Sequence, residues 1–138
     1  MSTKLVDKGW EKIKRELKVY RKTEMVVGVL DAGVAEYAVY NEYGTSRMPS
    51  RSFLRSTFEE SGSKIYKTIK VGYDSVMNGG SAIDGINRVG LLSEGLVKKK
   101  IRSGVGPALS AKTVAKKGHS QTLRDSGALM GSISYEIR

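Results

Sequence analysis

Few side chains in this sequence have the types and spacings that catalysis requires. His119 is the only histidine and lies in a lysine-rich stretch, where a metal cluster or a Ser-His-Asp triad would lack partners. Glu59 and Glu60 are adjacent carboxylates, but adjacent helical positions point about 100° apart, which indicates a solvated face rather than an acid/base pair. Asp125 and Ser126 favour a helix cap over a nucleophile with its acid.

The segment from Gly104 to Thr113 superficially resembles a phosphate-binding loop. A Walker-type loop needs glycine directly before its lysine, whereas Ala111 precedes Lys112 here, and no convincing helix is predicted to follow. Cysteine is absent, which excludes a thiol nucleophile and a disulfide framework. The sequence therefore predicts no catalytic residues, no metal site and no cofactor, and an enzyme acting on the cell wall or on DNA is the least favoured function.

Positive charge is the most prominent chemical feature of the chain, whose formal net charge is +10. It is concentrated in a basic cluster of seven residues with no acidic residue among them: Lys98, Lys99, Lys100, Arg102, Lys112, Lys116 and Lys117. Such a cluster attracts DNA or an acidic protein surface, although a solvated charge run explains it equally well. Because no DNA-reading motif is visible, any DNA contact is expected to involve phosphates and to weaken with salt.

The chain of 138 residues is long enough for one domain. Residues 3–21 predict an amphipathic helix with an apolar stripe spaced four and three apart: Val6, Trp10, Ile13, Leu17 and Tyr20. Residues 24–30 are almost continuously apolar, which predicts a strand covered on both faces. After a turn at residues 31–33, a helical segment at residues 35–43 is expected to end at Gly44, its C-terminal cap.

Two longer helices are predicted in the middle of the chain. The first follows a loop at residues 46–49, is capped by Ser50 or Ser52, and continues to about Met77. Residues 78–80 interrupt the pattern because Asn-Gly-Gly breaks a helix. Ser81 then caps the second helix, which continues to about Arg102.

The last third of the chain predicts a loop, a short helix and a strand. Residues 104–121 show little apolar periodicity, which indicates a long basic loop that we expect to become ordered at an interface. Asp125 is predicted to cap a short helix at residues 128–130, and residues 132–137 alternate like a strand that pairs with residues 25–30. The predicted fold is α+β, with a small antiparallel sheet packed against an N-terminal helix and two longer central helices. Neither a membrane span nor a signal peptide is predicted.

Two segments carry a family resemblance. Residues 38–45 read Ala-Val-Tyr-Asn-Glu-Tyr-Gly-Thr and residues 49–55 read Pro-Ser-Arg-Ser-Phe-Leu-Arg. Residues 122–129 read Thr-Leu-Arg-Asp-Ser-Gly-Ala-Leu, followed by Ser-Ile-Ser-Tyr at residues 132–135. In order and spacing they resemble the tail-component family of HK97-like long-tailed bacteriophages, in which Pro and Thr are usual where Ser52 and Ser126 stand here. Both departures are conservative for the start of a helix.

The resemblance implies an α+β subunit of the virion neck or tail, assembled in the host cytoplasm. It implies a homo-oligomeric ring at the head–tail junction, with a hexamer favoured over a dodecamer, that contacts connector and tail proteins and touches genomic DNA in passing. Tail terminator, tail completion and head closure all remain possible roles. The alternative function is non-specific DNA binding by residues 98–117.

The resemblance also assigns fold-motif residues within the two segments: Glu42, Gly44, Thr45, Pro49, Arg51, Phe53, Leu54, Asp125, Gly127 and Leu129. Glu42 and Arg51 flank a tight turn, so we expect them to form an ion pair that contributes about 0–1 kcal/mol if exposed. These residues could serve the interior of the subunit or a contact with a partner, and the sequence favours neither.

Overall fold

A computed structural model describes residues 8–107, 111–117 and 127–138. Within these residues the predicted α+β fold is confirmed, with helices outnumbering strands. The elements in chain order are α1 (Lys8–Lys22), β1 (Met25–Val29), α2 (Ala32–Tyr43), α3 (Leu54–Met77), α4 (Ala82–Ser103), α5 (Ala111–Lys117), α6 (Ala128–Ser132) and β2 (Ile133–Ile137).

Helices α3 and α4 form an antiparallel hairpin that supports the rest of the fold. Their backbones cross closely at Gly72 and Gly85, where a Cβ added to Gly72 would lie 3.2 Å from the Cα of Gly85. Any larger side chain would push the two helices apart. Ser81 begins α4 as predicted, because its hydroxyl accepts a hydrogen bond from the Asp84 N–H at 3.4 Å.

Helix α1 lies across the end of this hairpin where α3 meets α4. Three hydrogen bonds join them: Lys12 Nζ to the Gly79 carbonyl (2.7 Å), Tyr20 hydroxyl to the Ile69 carbonyl (2.9 Å), and the Ala82 N–H to the Glu16 carboxylate (2.8 Å). Of the predicted apolar stripe, Ile13, Leu17 and Tyr20 are half-buried and Trp10 is exposed, whereas Val6 lies outside the described residues.

The sheet consists of β1 and β2 in antiparallel pairing, as predicted, with Met25 opposite Ile137 and Val29 opposite Ile133. It packs against α4, where the ring of Tyr135 occupies the space that a side chain at position 90 would need, and glycine is present there. The predicted cover of the first strand on both faces is partial, because the side chains on both of its faces are half-buried.

Two further boundaries differ from the prediction. The predicted turn at residues 31–33 is the start of α2, because the Asp31 carboxylate caps the helix by accepting from the Gly33 N–H at 2.8 Å. Part of the predicted loop at residues 104–121 is helical, since α5 spans Ala111–Lys117, whose alanines and lysines are good helix formers. Residues 108–110 and 118–121 of that predicted loop lie outside the described residues.

Candidate assembly site

Glu42 lies at the centre of the first segment that resembles the phage family. Its carboxylate accepts four hydrogen bonds at the start of α3. One oxygen accepts from the Ser52 hydroxyl (2.7 Å) and the Arg55 N–H (3.0 Å), and the other from the N–H groups of Phe53 (3.1 Å) and Leu54 (2.9 Å). The first N–H groups of a helix have no partner within the helix. A carboxylate at the end of α2 therefore caps α3 and holds the two helices together.

Burial and hydrogen bonding have opposite effects on the pKa of this carboxylate. Burial alone would raise the pKa of Glu42, but the hydrogen bonds from Leu54, Ser52, Arg55 and Phe53 outweigh it and lower the pKa below its ordinary value. The side chain is only 7% exposed. Glu42 is therefore a buried anion that the backbone of α3 stabilises, which is a structural role.

The predicted serine cap of α3 is confirmed only in part. The helix begins at Leu54, later than the predicted start. The Ser52 hydroxyl accepts a hydrogen bond from the Ser56 N–H at 3.3 Å, so Ser52 satisfies one of the first N–H groups of α3. The Ser50 hydroxyl donates to the Glu42 backbone carbonyl at 2.7 Å, and the Ser52 hydroxyl donates to the Glu42 carboxylate. Both serines therefore support the capping glutamate, which is ten or more residues away from the N–H groups it satisfies.

The structure describes both Glu42 and Arg51, and the ion pair predicted between them is not formed. Arg51 instead donates from Nε to the Pro107 carbonyl at 2.9 Å, and its backbone N–H donates to the Asn41 carbonyl at 2.6 Å. The guanidinium is buried, because Arg51 is 7% exposed. Arg51 therefore joins the loop between α2 and α3 to the chain that follows α4.

The turn between α2 and α3 needs the glycine and threonine of the motif. Gly44 has a φ of 75°, and a Cβ there would lie 2.7 Å from the Ser50 nitrogen. The Thr45 N–H donates to the Met48 carbonyl at 2.9 Å, and the Thr45 hydroxyl accepts from the Met48 N–H at 3.1 Å. Gly44 thus ends α2 as predicted, and Pro49 follows the turn on the surface.

The structure brings the two resembling segments together in one hydrophobic core. Ala38 and Phe53 from the first segment and Leu129 and Ile133 from the second are buried in one cluster of side chains. Leu54 packs against the same core, and the rest of it comes from the end of α4 and the chain after it: Val97, Ile101 and Val105. The motif residues therefore act within the subunit at these positions.

The cap predicted for the last helix concerns Asp125, which lies outside the described residues. Helix α6 begins directly after Gly127, whose φ of 73° is in the left-handed region that glycine adopts most easily. Gly127 therefore contributes to the motif through its backbone conformation at the start of α6.

The basic cluster is partly neutralised. Lys98 pairs with Glu94 and Lys100 pairs with Glu60, each at 2.7 Å. Lys99, Arg102 and Lys116 are exposed, and the side chains of Lys112 and Lys117 lie outside the described residues. A depression of about 240 Å³ lies between α3 and α4 beside this cluster. It is lined by Thr57, Glu60, Ser61, Leu96, Lys99, Lys100 and Ser103.

An exposed apolar surface lies beside the Glu42 cap. Four large side chains of α2, which we call the α2 aromatic face, are between 40% and 71% exposed: Tyr37, Val39, Tyr40 and Tyr43. A hydrogen bond from the Tyr40 hydroxyl to the Glu36 carboxylate raises the pKa of Tyr40. At Tyr43 the face adjoins a largely apolar depression of about 470 Å³ that Leu54 and Phe58 line.

The described residues contain no cluster of metal-binding side chains. No three histidine, cysteine, aspartate or glutamate side chains within them are close enough to hold a metal ion. Glu59 and Glu60 have separate partners, Arg55 at 3.8 Å and Lys100 at 2.7 Å, and both are largely exposed. His119 and Ser126 lie outside the described residues. Every helix in the described ranges falls short, in length or in apolar character, of what spanning a bilayer requires.

The chain was compared with models of protein families, with curated proteins and with solved structures. No match was found in any of the three comparisons.

Two features of the site were not predicted from the sequence. One is the role of Glu42 as a cap, which depends on a contact between residues far apart in the chain. The other is the exposure of the α2 aromatic face. A signal for the second was present, because apolar residues occur all around the helical wheel of α2, and a helix with only one buried face must then expose the remainder.

Proposed function

We propose that this chain is a non-catalytic structural subunit of the head–tail junction of a long-tailed bacteriophage, where copies form a ring between connector and tail. The observation that carries the proposal is the α2 aromatic face, which is exposed directly beside the Glu42 cap. The family resemblance of residues 38–55 and 122–135 supports the identity of the assembly.

The physical support comes from the cost of leaving such a surface in water. Contiguous exposed apolar patches on soluble proteins usually mark sites of interaction. Tyrosine is enriched in protein interfaces because its ring buries a large area while its hydroxyl keeps a polar partner. Three tyrosines and a valine within seven residues of one helix favour a protein partner.

The experiment is a measurement of native mass for the full chain, alone and mixed with the connector and tail proteins of the same phage. We expect a hexamer, formed alone or on mixing, and a complex with at least one of the neighbouring proteins. Which neighbour binds would separate tail terminator, tail completion and head closure. A monomer at all concentrations that binds neither neighbour would overturn the proposal.

Non-specific DNA binding is the second candidate function, and the exposure of Lys99, Arg102 and Lys116 favours it. The ion pairs of Lys98 and Lys100 reduce the positive charge available to phosphates. If this candidate is correct, fluorescence anisotropy should show micromolar binding to arbitrary duplex DNA that weakens steeply with salt.

A matched pair of variants makes the DNA measurement specific. Lys99→Glu with Arg102→Glu should weaken binding at least tenfold. Lys64→Glu with Lys67→Glu, which makes the same change of charge at exposed positions of α3, should have a much smaller effect. Equal effects of the two pairs would indicate attraction by net charge alone, and no binding at low salt would exclude the candidate.

A further inference from the structure

The α2 aromatic face differs in charge from the rest of the molecule. Residues 32–43 contain two glutamates, Glu36 and the buried Glu42, and no lysine or arginine. The other described helices longer than five residues all contain lysine, and the whole chain has a net charge of +10. The face is therefore an apolar and weakly acidic surface on a strongly basic protein.

This difference in charge indicates which kind of surface can bind the α2 aromatic face. DNA and acidic proteins are attracted to lysine and arginine, which this face lacks. A basic surface is suited to it, because cations bind favourably over tyrosine rings and Glu36 adds a negative charge. Copies of a chain with a charge of +10 repel one another, and that repulsion is weakest where one of the two surfaces carries no cations.

The chain itself contains a surface that complements this face. Helix α1 has seven basic residues and two glutamates. Arg15, Lys18 and Lys22 are spaced three and four apart, so they form one exposed line, which we call the α1 basic line. None of the three forms an ion pair with another part of the chain that the structure describes.

The two surfaces lie at opposite ends of α3. Helix α1 contacts the end near Ile69 and Gly79, whereas the α2 aromatic face adjoins the end near Leu54. At a rise of 1.5 Å per residue these ends are about 20–35 Å apart. One copy can therefore use both surfaces at the same time with two different neighbours.

We propose that the α2 aromatic face of one copy binds the α1 basic line of the next copy. Because the two surfaces differ, the contact is head-to-tail, and repeating it generates a ring when the rotation closes. The inference rests on the proposed ring and specifies which surfaces form it.

Cysteine cross-linking tests the contact directly, because the chain has no cysteine of its own. Val39→Cys introduces a thiol at the edge of the α2 aromatic face, and Lys18→Cys introduces one in the α1 basic line. The two variants carry different tags and are co-expressed as full chains, and a short bis-maleimide is then added. We expect cross-linked pairs that carry both tags, and little product from either variant alone.

A third variant, Lys64→Cys, is the control, because Lys64 is exposed on α3 outside both surfaces. Co-expressed with Val39→Cys, it should give at least tenfold less product than Lys18→Cys does. Native mass is measured on every sample, so that the inference and the proposed ring are judged separately.

Each outcome then has one meaning. Oligomers with mixed-tag cross-links between positions 39 and 18 support the inference. Oligomers without them overturn the inference and leave the proposed ring standing. Efficient cross-linking of Val39→Cys with itself shows a symmetric contact between two α2 faces and also overturns it. A protein that stays monomeric with and without the connector and tail proteins overturns both proposals.

Discussion

Replacing Glu42 with glutamine tests whether a single carboxylate holds α2 and α3 together. The substitution keeps the size of the side chain and removes its charge. A glutamine oxygen can accept at most one of the two pairs of hydrogen bonds that the carboxylate accepts, and the amide NH₂ then faces the donors of the other pair. At least two donors at the start of α3 lose their acceptor.

The expected loss follows from these two hydrogen bonds. A hydrogen bond to a charged group contributes about 1.5–3 kcal/mol, and an unsatisfied buried donor costs about 1–3 kcal/mol. Water in the adjoining depression near Leu54 can replace part of the loss. We therefore expect Glu42→Gln to lower the free energy of unfolding by about 2–4 kcal/mol, more than the roughly 1 kcal/mol typical of losing an ordinary cap.

The measurement is urea denaturation followed by circular dichroism. With a urea m-value of about 2 kcal/mol/M, the midpoint should fall by roughly 1–2 M without a change in slope. Glu59→Gln is the matched control, because Glu59 is an exposed glutamate of α3 whose contact with Arg55 is 3.8 Å long. Its effect should be about 0.5 kcal/mol or less.

Equal midpoints for the two variants would refute the reasoning, because the carboxylate would then contribute no more than an exposed one. A fall in m-value together with the midpoint would have a different meaning. It would indicate that α2 separates from the core before the rest of the protein unfolds, so that a two-state free energy no longer applies.

Three further predictions concern pH and packing. Because the pKa of Glu42 is lowered in the folded protein, its contribution to the free energy of unfolding is complete above the ordinary value of 4.5 and is lost as pH falls through the lowered pKa. When pH is lowered from 6 to 3, the urea midpoint of Glu42→Gln should therefore fall less steeply than that of the unaltered protein. Gly44→Ala should lower the free energy of unfolding by about 1–3 kcal/mol in the same urea assay, because its φ is 75°. Gly90→Ala should cost about 1–3 kcal/mol in that assay, because its methyl group collides with Tyr135, whereas Gly95→Ala has open space and should stabilise α4 by about 0.5–1 kcal/mol.

The sequence predicted those parts of the fold that depend on neighbours in the chain. Ser81 caps α4 through the N–H of Asp84, three residues further on, and Gly44 ends α2 through its own left-handed φ. The alternation of Ile133, Ser134 and Tyr135 was sufficient to predict the strand, and its pairing with the first strand is confirmed. In each case the stabilising contact is local or follows from a repeating pattern.

The start of α3 is predicted only in part, because most of its stabilising contacts are not local. Ser52 accepts from the Ser56 N–H, as a local cap rule predicts. No local rule indicates that both serines also donate to Glu42, or that this distant carboxylate accepts three N–H groups of the same turn. The same limit applies to Arg51, which was expected to pair with Glu42 and instead donates to Pro107, 56 residues away. The Glu42 contact exists only after the end of α2 has met the start of α3, and the Arg51 contact only after the chain that follows α4 has packed against the loop between them.

Because the motif residues make contacts inside the subunit, loss of assembly in a variant of one of them does not identify an interface. Glu42, Arg51 and Phe53 make buried contacts within the subunit, so replacing them should reduce assembly by destabilising the fold. Tyr37 and Tyr40 are 40% and 43% exposed and lie outside the buried core cluster, so replacing them with serine should lower the urea midpoint much less than replacing a buried motif residue. If the proposed interface is correct, only the tyrosine variants should lose assembly while remaining folded. The buried motif residues would then specify the fold, and the exposed residues of α2 that precede Glu42 would select the partner.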